Sequence, residues 1–179
     1  MNNKRILIID DEVDIANNIK AILKDENYDA SIAHNSSDAF RYLSENKYNL
    51  IILDVWLDNS ELDGIAILKK LRETNSTPVI IISGHGNIEM AVKAIKEGAN
   101  EFIEKPFSTE RLLLSIVRSI ELHEVKTENF KLKQKNIYDY EFIGHSIAIN
   151  KVKNLIKKIA PTASRVMIYG DSGTGKDIV

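Results

Sequence analysis

The chain of 179 residues contains no cysteine. Disulfide cross-links and thiolate metal sites are therefore excluded, and a reducing, cytoplasmic compartment is expected. Excess charge is nearly absent too, with 24 Lys and Arg against 26 Asp and Glu and a net charge of −2. A nucleic-acid surface normally carries a basic footprint, so no direct nucleic-acid binding is expected. Long apolar runs are missing as well. The N-terminal run, Ile6 to Ile9, is too short for a signal sequence or a membrane span, and no membrane contact is expected. What remains is ordinary for a soluble globular protein, 44% apolar and 28% charged. The length suits one domain, or one domain and part of another.

Four short apolar runs organise the chain. Ile6-Leu7-Ile8-Ile9 ends in Asp10 and Asp11, and Leu50-Ile51-Ile52-Leu53 ends at Asp54. Val79-Ile80-Ile81-Ile82 ends at Ser83, and Phe102-Ile103 is followed by Lys105, which is joined to Pro106. Runs apolar throughout read as strands buried on both faces, hence as a parallel sheet covered by helices. Ligands of such sheets bind outside the carboxyl ends of the strands. Three Asp, one Ser and one Lys are thus expected at one edge.

Helical periods fill the gaps. Val13 to Lys24 carries Ile15, Ile19, Ile22 and Leu23 at helical spacing. Tyr28 to Ala33 is a poorer, edge-type strand. Ser36 is placed to cap a helix running to about Glu45. The polar loop Asp58 to Gly64 leads into a helix with Ile65, Leu68 and Leu71. After Gly84-His85-Gly86, Asn87 is placed to cap a helix with Ile88, Ala91, Val92 and Ile95 inward, and Gly98 stands at its C′ position. Glu101 to Glu104 is a strand. Ser108 or Thr109 caps a helix with Leu113, Ile116, Val117 and Ile120 on one face. Strand and helix alternate five times, which predicts a doubly wound α/β domain. The flavodoxin-like strand order 2-1-3-4-5 is adopted for it.

Residues 121–140 change character. Mixed charges surround Leu122, Val125, Asn129 and Leu132, and a solvated helical linker is expected. Ala148, Val152, Leu155, Ile156 and Ile159 then mark an apolar face on a Lys-rich helix, which Pro161 ends. Arg165 to Tyr169 reads as a strand, followed by Gly170-Asp171-Ser172-Gly173-Thr174-Gly175-Lys176.

The carboxylates of Asp10, Asp11 and Asp54 repel one another unless a cation joins them. Mg²⁺ prefers oxygen ligands and is commonly held by one or two carboxylates and a phosphate. Lys105 adds a fixed positive charge. A carboxylate beside a metal and a lysine is a plausible nucleophile toward phosphorus, giving an aspartyl phosphate. The cations would stabilise charge on the transferring oxygens, and the Ser83 hydroxyl would bond the new group. Taken singly, each of these residues reads as a solvated loop, a cap or a turn. Their conjunction on four strand ends is what is specific.

With Asp10-Asp11, Asp54, Asp63-Gly64, Ser83-Gly84 and Lys105-Pro106 in this order, residues 4 to about 122 resemble the response regulator receiver domain of two-component signalling. The resemblance implies that Asp54 accepts a phosphoryl group from a sensor histidine kinase. It implies that Asp10, Asp11 and Asp54 bind Mg²⁺ with the backbone carbonyl of Trp56, that Ser83 and Lys105 contact the phosphate, and that the Lys105-Pro106 bond is cis. The switch position, often Tyr in receivers, is Phe102 here. The long loop Trp56 to Gly64 is similar to that of NtrX-type regulators. Trp56 and His85, each two residues beyond a site residue, are expected to flank the attacking water and tune dephosphorylation. A dimer through the fourth helix, fifth strand, fifth helix and linker is also implied.

Gly170-x-x-x-x-Gly175-Lys176 after a strand is a Walker A pattern with Asp177 where Ser or Thr is usual. With Phe142-Ile143-Gly144-His145-Ser146 it resembles the start of the AAA+ ATPase domain of σ54-dependent activators, in which Gly170, Gly173, Gly175, Lys176 and Asp177 would line the ATP phosphates. The expected division is a receiver over 1–122, a linker over 123–140, and a truncated ATPase segment over 141–179 with weak ATP binding or none. The implied function is an NtrC/NtrX-type response regulator of σ54-dependent transcription that catalyses only its own phosphorylation and dephosphorylation. The alternatives are a stand-alone receiver acting as a phosphate sink or dimerisation competitor, and a Mg²⁺-dependent phosphatase or flavin binder. The phosphatase would pair Asp10 with Glu12 and leave Asp54 unexplained.

Overall fold

The computed structural model describes residues 4–58, 60–84, 88–138, 144, 146–162, 165–173 and 176, with residues 132–138 as backbone only. Five parallel strands, β1 (Arg5–Ile9), β2 (Asp29–Ala33), β3 (Leu50–Asp54), β4 (Val79–Ser83) and β5 (Glu101–Glu104), lie in the order β2-β1-β3-β4-β5. The order is the expected one, with β2 at an edge. Helices α1 (Val13–Asp25), α2 (Ser36–Glu45), α3 (Gly64–Arg72), α4 (Ile88–Lys96) and α5 (Thr109–Tyr138) connect or follow the strands.

Strand side chains alternate between faces. Leu7, Ile9, Ile51, Leu53, Val79 and Ile81 therefore point to one side, where they pack with Ala39 of α2, Ile67 and Leu68 of α3 and Ala94 of α4. Ile6, Ile8, Leu50, Ile52, Ile80 and Ile82 point to the other, against Ala16, Ile19 and Leu23 of α1 and Leu112, Ile116 and Ile120 of α5. This double covering is why Ile6–Ile9, Leu50–Leu53 and Val79–Ile82 are apolar throughout. Each fully buried Ile or Leu contributes roughly 1.5–3 kcal/mol.

Several local expectations are corrected. Helix α2 is capped by Asn35, whose side chain accepts from Asp38 N–H, while Ser36 is its first residue. Both residues are good cap formers, and the extended backbone falls on Asn35. On α4, Ile88 (83% exposed), Val92 and Ile95 face outward, and Ala94 with Met90 faces the core. On α5, Leu112 replaces Val117 on the inward face, and Val117 is 40% exposed. Ser108, not Thr109, supplies the cap oxygen, accepting from Arg111 N–H at 3.2 Å. The expected cap Asn87 lies outside the described residues. Gly98, at φ +100°, ends α4 as expected, and its carbonyl accepts from Arg72 Nε at 3.0 Å. Arg72 also donates to the carbonyls of Asn75 and Thr77, tying the end of α3 to the loop before β4.

The chain divides into two compact units, 1–126 and 127–179. In the second, α6 (Ile147–Ile159) is capped by Ser146, and none of its residues is buried. Val152, Leu155, Ile156 and Ile159 line a groove of about 360 Å³ with Val166, Met167, Ile168 and Tyr169. The strand expected at Arg165 to Tyr169 is not formed. These residues are exposed, and no strand lies beside them among the described residues to complete a ladder. Among the described residues, no helix is long and apolar enough to cross a membrane.

Candidate functional site

The parallel sheet brings the ends of β1, β3, β4 and β5 to one edge. Asp10, one residue past β1, is 2% exposed. Its N–H donates to Ala33 O at 3.1 Å, and its Oδ1 accepts from Glu12 N–H at 2.9 Å. Asp54 is the last residue of β3 and 3% exposed. Its Oδ1 accepts from Trp56 N–H at 3.3 Å. Lys105, just past β5, is anchored by its N–H to Ser83 O at 2.8 Å and is joined to Pro106 by a cis bond, as expected.

The Lys105 ammonium closes the cluster. Nζ donates to Asp54 Oδ2 at 2.6 Å, Asp10 Oδ2 at 3.1 Å and Glu12 Oε1 at 3.2 Å. Burial works against the ammonium, but the hydrogen bond and charge of Asp54, together with Asp10, outweigh it and hold the pKa up at about 12. Burial also pushes the Asp10 carboxyl above the usual carboxylate range, and Lys105 offsets this only in part.

Asp63 and Gly64 set the loop that follows Asp54. Asp63 Oδ1 caps α3 by accepting from Ala66 N–H at 2.7 Å. Gly64 N–H donates to Val55 O at 2.8 Å, and a Cβ built on Gly64 would lie 2.0 Å from the Asp54 carbonyl oxygen. Only glycine fits so close to that backbone. Asp11 joins the loop from the other side, its Oδ2 accepting from Asp58 N–H at 3.0 Å. Ser60 Oγ accepts from the N–H of Ser36 at the start of α2.

Asp11, Glu12, Asp54, Trp56, Asp58 and Gly84 line an open cavity of about 530 Å³. Carboxylate oxygens of Asp10, Glu12 and Asp54 lie within 4.8 Å of one another. Several hard oxygen donors held by one lysine leave an excess of negative charge, and a divalent cation such as Mg²⁺ fits that donor set. Lys105, Asp10 and Asp54 are in direct contact; Asp11 and Trp56 share the cavity. Ser83 is buried at the end of β4, with its Oγ 3.8 Å from Met90 Sδ. Phe102 is half-buried and lines a different cavity, of about 560 Å³, between α4, β5 and α5. His85 lies outside the described residues. Glu12, read from sequence only as half of a rival acid pair, proves to be a partner of Lys105. Its position two residues past Asp10 was the available signal.

In the second unit, Lys176 Nζ donates to the carbonyls of Gly170 at 2.8 Å and Asp171 at 2.5 Å. Gly173 has φ +82°, a conformation that favours glycine. Gly175 and Asp177 lie outside the described residues.

The response regulator receiver domain family matches residues 6–117, and the sigma-54 interaction domain matches residues 142–179. An NtrX-like response regulator of Rickettsia bellii is 47% identical over 97% of this chain and 36% of its own length. NtrX from Brucella abortus is 41% identical over 97% of this chain and 38% of that one, with a TM-score of 0.72; the same protein in complex with ATP gives 0.70. The receiver domain dimer of beryllofluoride-activated NtrC4 is 41% identical over 66% of this chain and 98% of that one, with a TM-score of 0.63. The chain thus spans less than two-fifths of the length of its NtrX-like relatives. With its sheet order, its clustered carboxylates and lysine, and a family match over most of residues 1–126, the chain belongs to the response regulator receiver family and carries sigma-54 interaction sequence after it.

Proposed function

We propose that this protein is a phosphorelay response regulator and that Asp54 is its phosphoacceptor. One observation carries the reading: the buried Asp54 carboxylate at the end of β3 receives the Lys105 ammonium at 2.6 Å, beside an open acidic cavity. The donor would be a sensor histidine kinase. Asp10, Asp11 and Asp54, with the Trp56 carbonyl, would hold Mg²⁺, which supplies charge neutralisation for phosphoryl transfer. Burial orients the Asp54 oxygen toward the cavity. Lys105 stabilises charge on the phosphoryl oxygens, and Ser83 hydrogen-bonds one of them after a shift of its hydroxyl away from Met90. Trp56 and His85 would set the lifetime of the phosphate.

Phosphorylation would bias a two-state equilibrium read out on α4, β5 and α5, with Phe102 as the moving ring. The outward stripe Ile88, Val92 and Ile95 and the cavity beside Phe102 support that face as a homodimer contact, with the linker extending it. The NtrC4 receiver dimer offers a precedent in a relative. We place the receiver over 1–122, the linker over 123–140 and the sigma-54 activator segment over 141–179, with regulation of sigma-54-dependent transcription as the role of the whole protein. Gly170, Gly173, Gly175, Lys176 and Asp177 are then its nucleotide-binding positions, which the ATP complex of Brucella NtrX supports. The test is intact mass after incubation with Mg²⁺ and acetyl phosphate. A single base-labile phosphoryl group is expected on the native chain and none on Asp54→Asn; a folded native chain that gains none would overturn the reading.

A further inference from the structure

The Lys105 ammonium has three N–H groups, and each is engaged by a different carboxylate, those of Asp54, Asp10 and Glu12. A phosphoryl oxygen can gain Lys105 only if one partner lets go. The three partners differ in burial. The side chains of Asp10 and Asp54 are 2% and 4% exposed, whereas that of Glu12 is 59% exposed and makes the longest of the three bonds. An exposed ion pair is weak, because water replaces it readily. Glu12 is therefore the partner that yields.

Among the described residues, Lys105 is the one hydrogen-bonding partner of the Glu12 side chain. Glu12 is the N-cap residue of α1, yet its side chain makes no capping bond. A carboxylate at a helix start is ordinarily drawn to the free N–H groups there. Here it reaches across the cavity mouth to Lys105 instead, and it lines the same cavity as Asp54 and Trp56.

We propose that Glu12 is a positioning residue that holds the third N–H of Lys105 until the phosphoryl group arrives, and that its charge makes the site discriminate phosphodonors by their charge. The proposal deepens the reading of Asp54 as phosphoacceptor and rests on it. In the step concerned, an Asp54 carboxylate oxygen bonds phosphorus as the bond from phosphorus to the acetate oxygen of acetyl phosphate breaks. Acetate leaves with that electron pair, and no proton is taken up. Lys105 turns its third N–H from Glu12 to the phosphoryl oxygen, and Glu12 returns to water. A dianionic donor meets the repulsion of Glu12 in full; a monoanionic donor meets about half of it.

The experiment compares the full chain with Glu12→Gln and Asp54→Asn at saturating Mg²⁺, using dianionic acetyl phosphate and monoanionic phosphoramidate, each at low and high KCl. Intact mass gives the rates. Glu12→Gln is expected to speed phosphorylation by acetyl phosphate about threefold to tenfold at low salt, to change the phosphoramidate rate less, and to lose the difference at high salt. The only tryptophan, Trp56, lines the cavity and reports Mg²⁺ binding by fluorescence. Mg²⁺ affinity is expected to fall severalfold in Glu12→Gln at low salt. Equal acceleration with both donors, a salt-independent effect, unchanged rates, or unchanged Mg²⁺ affinity would each overturn the proposal. If the native chain itself gains no phosphoryl group on Asp54, the functional reading fails first, and that outcome is distinct from the others.

Discussion

Gly64 shows how one residue without a side chain can hold another, Asp54, in place. The Asp54 carbonyl sits where the Cβ of any other residue at 64 would be, and the Val55 carbonyl takes the Gly64 N–H. A methyl group there meets backbone on both Asp54 and Val55, which cannot swing away as a side chain would. Gly64→Ala is expected to lower stability by about 2–3 kcal/mol, the upper part of the range for overpacking. It should also slow phosphorylation of Asp54, because the end of β3 must move to make room. Urea unfolding and the acetyl phosphate rate measure the two effects. Wild-type stability in Gly64→Ala would mean that the loop opens freely and does not position Asp54.

Among the elements, α4 separates what was legible from what was not. Its sequence carries two apolar stripes, Ile88, Val92 and Ile95 against Met90 and Ala94. Helical periodicity finds both but does not rank them, and the larger residues were the natural choice for the core. The sheet takes the smaller stripe because α4 packs close to β4 and β5, where Ala94 is fully buried. Val92→Lys should therefore change stability by less than about 0.5 kcal/mol, as exposed substitutions do. Ala94→Lys should unfold the domain or nearly so, since it buries an unpaired charge. Thermal melts of the two variants decide the matter, and a large loss in Val92→Lys would restore the original assignment. The same ambiguity misplaced Val117 on α5, where small buried Ser115 and Ser119 share the inward face with Leu112 and Ile116. Strands β1, β3 and β4 were free of it, because residues covered on both faces leave no face to choose. The contact of Asp10 and Asp54 with Lys105 was legible for the same reason: each stands where an apolar run ends. The bond from Glu12 to Lys105 was not, since it depends on which way an exposed side chain turns.

For the molecule as a whole, the decisive fact is where the buried residues lie. Among the described residues, both apolar clusters draw only on those between Ile6 and Ile120. In the second unit α6 buries no residue, and the strand-like residues Val166 to Tyr169 are exposed. Hydrophobic burial is the main favourable term in folding, so residues 127–179 should add little to the stability of residues 1–126. A chain of residues 1–126 is expected to melt cooperatively within about 3 °C of the full chain, a difference worth less than roughly 1 kcal/mol for a domain of this size. It should also keep the Mg²⁺-dependent response of Trp56, whose cavity is lined, among the described residues, by residues between Asp11 and Gly84. Calorimetry and fluorescence titration of the two chains test this directly. If the short chain melts far below the full one, residues 127–179 contribute to the stability of the domain and the burial argument fails. If the melting temperatures agree, residues 1–126 are self-sufficient, because the two clusters between Ile6 and Ile120 then supply the burial that holds the domain together.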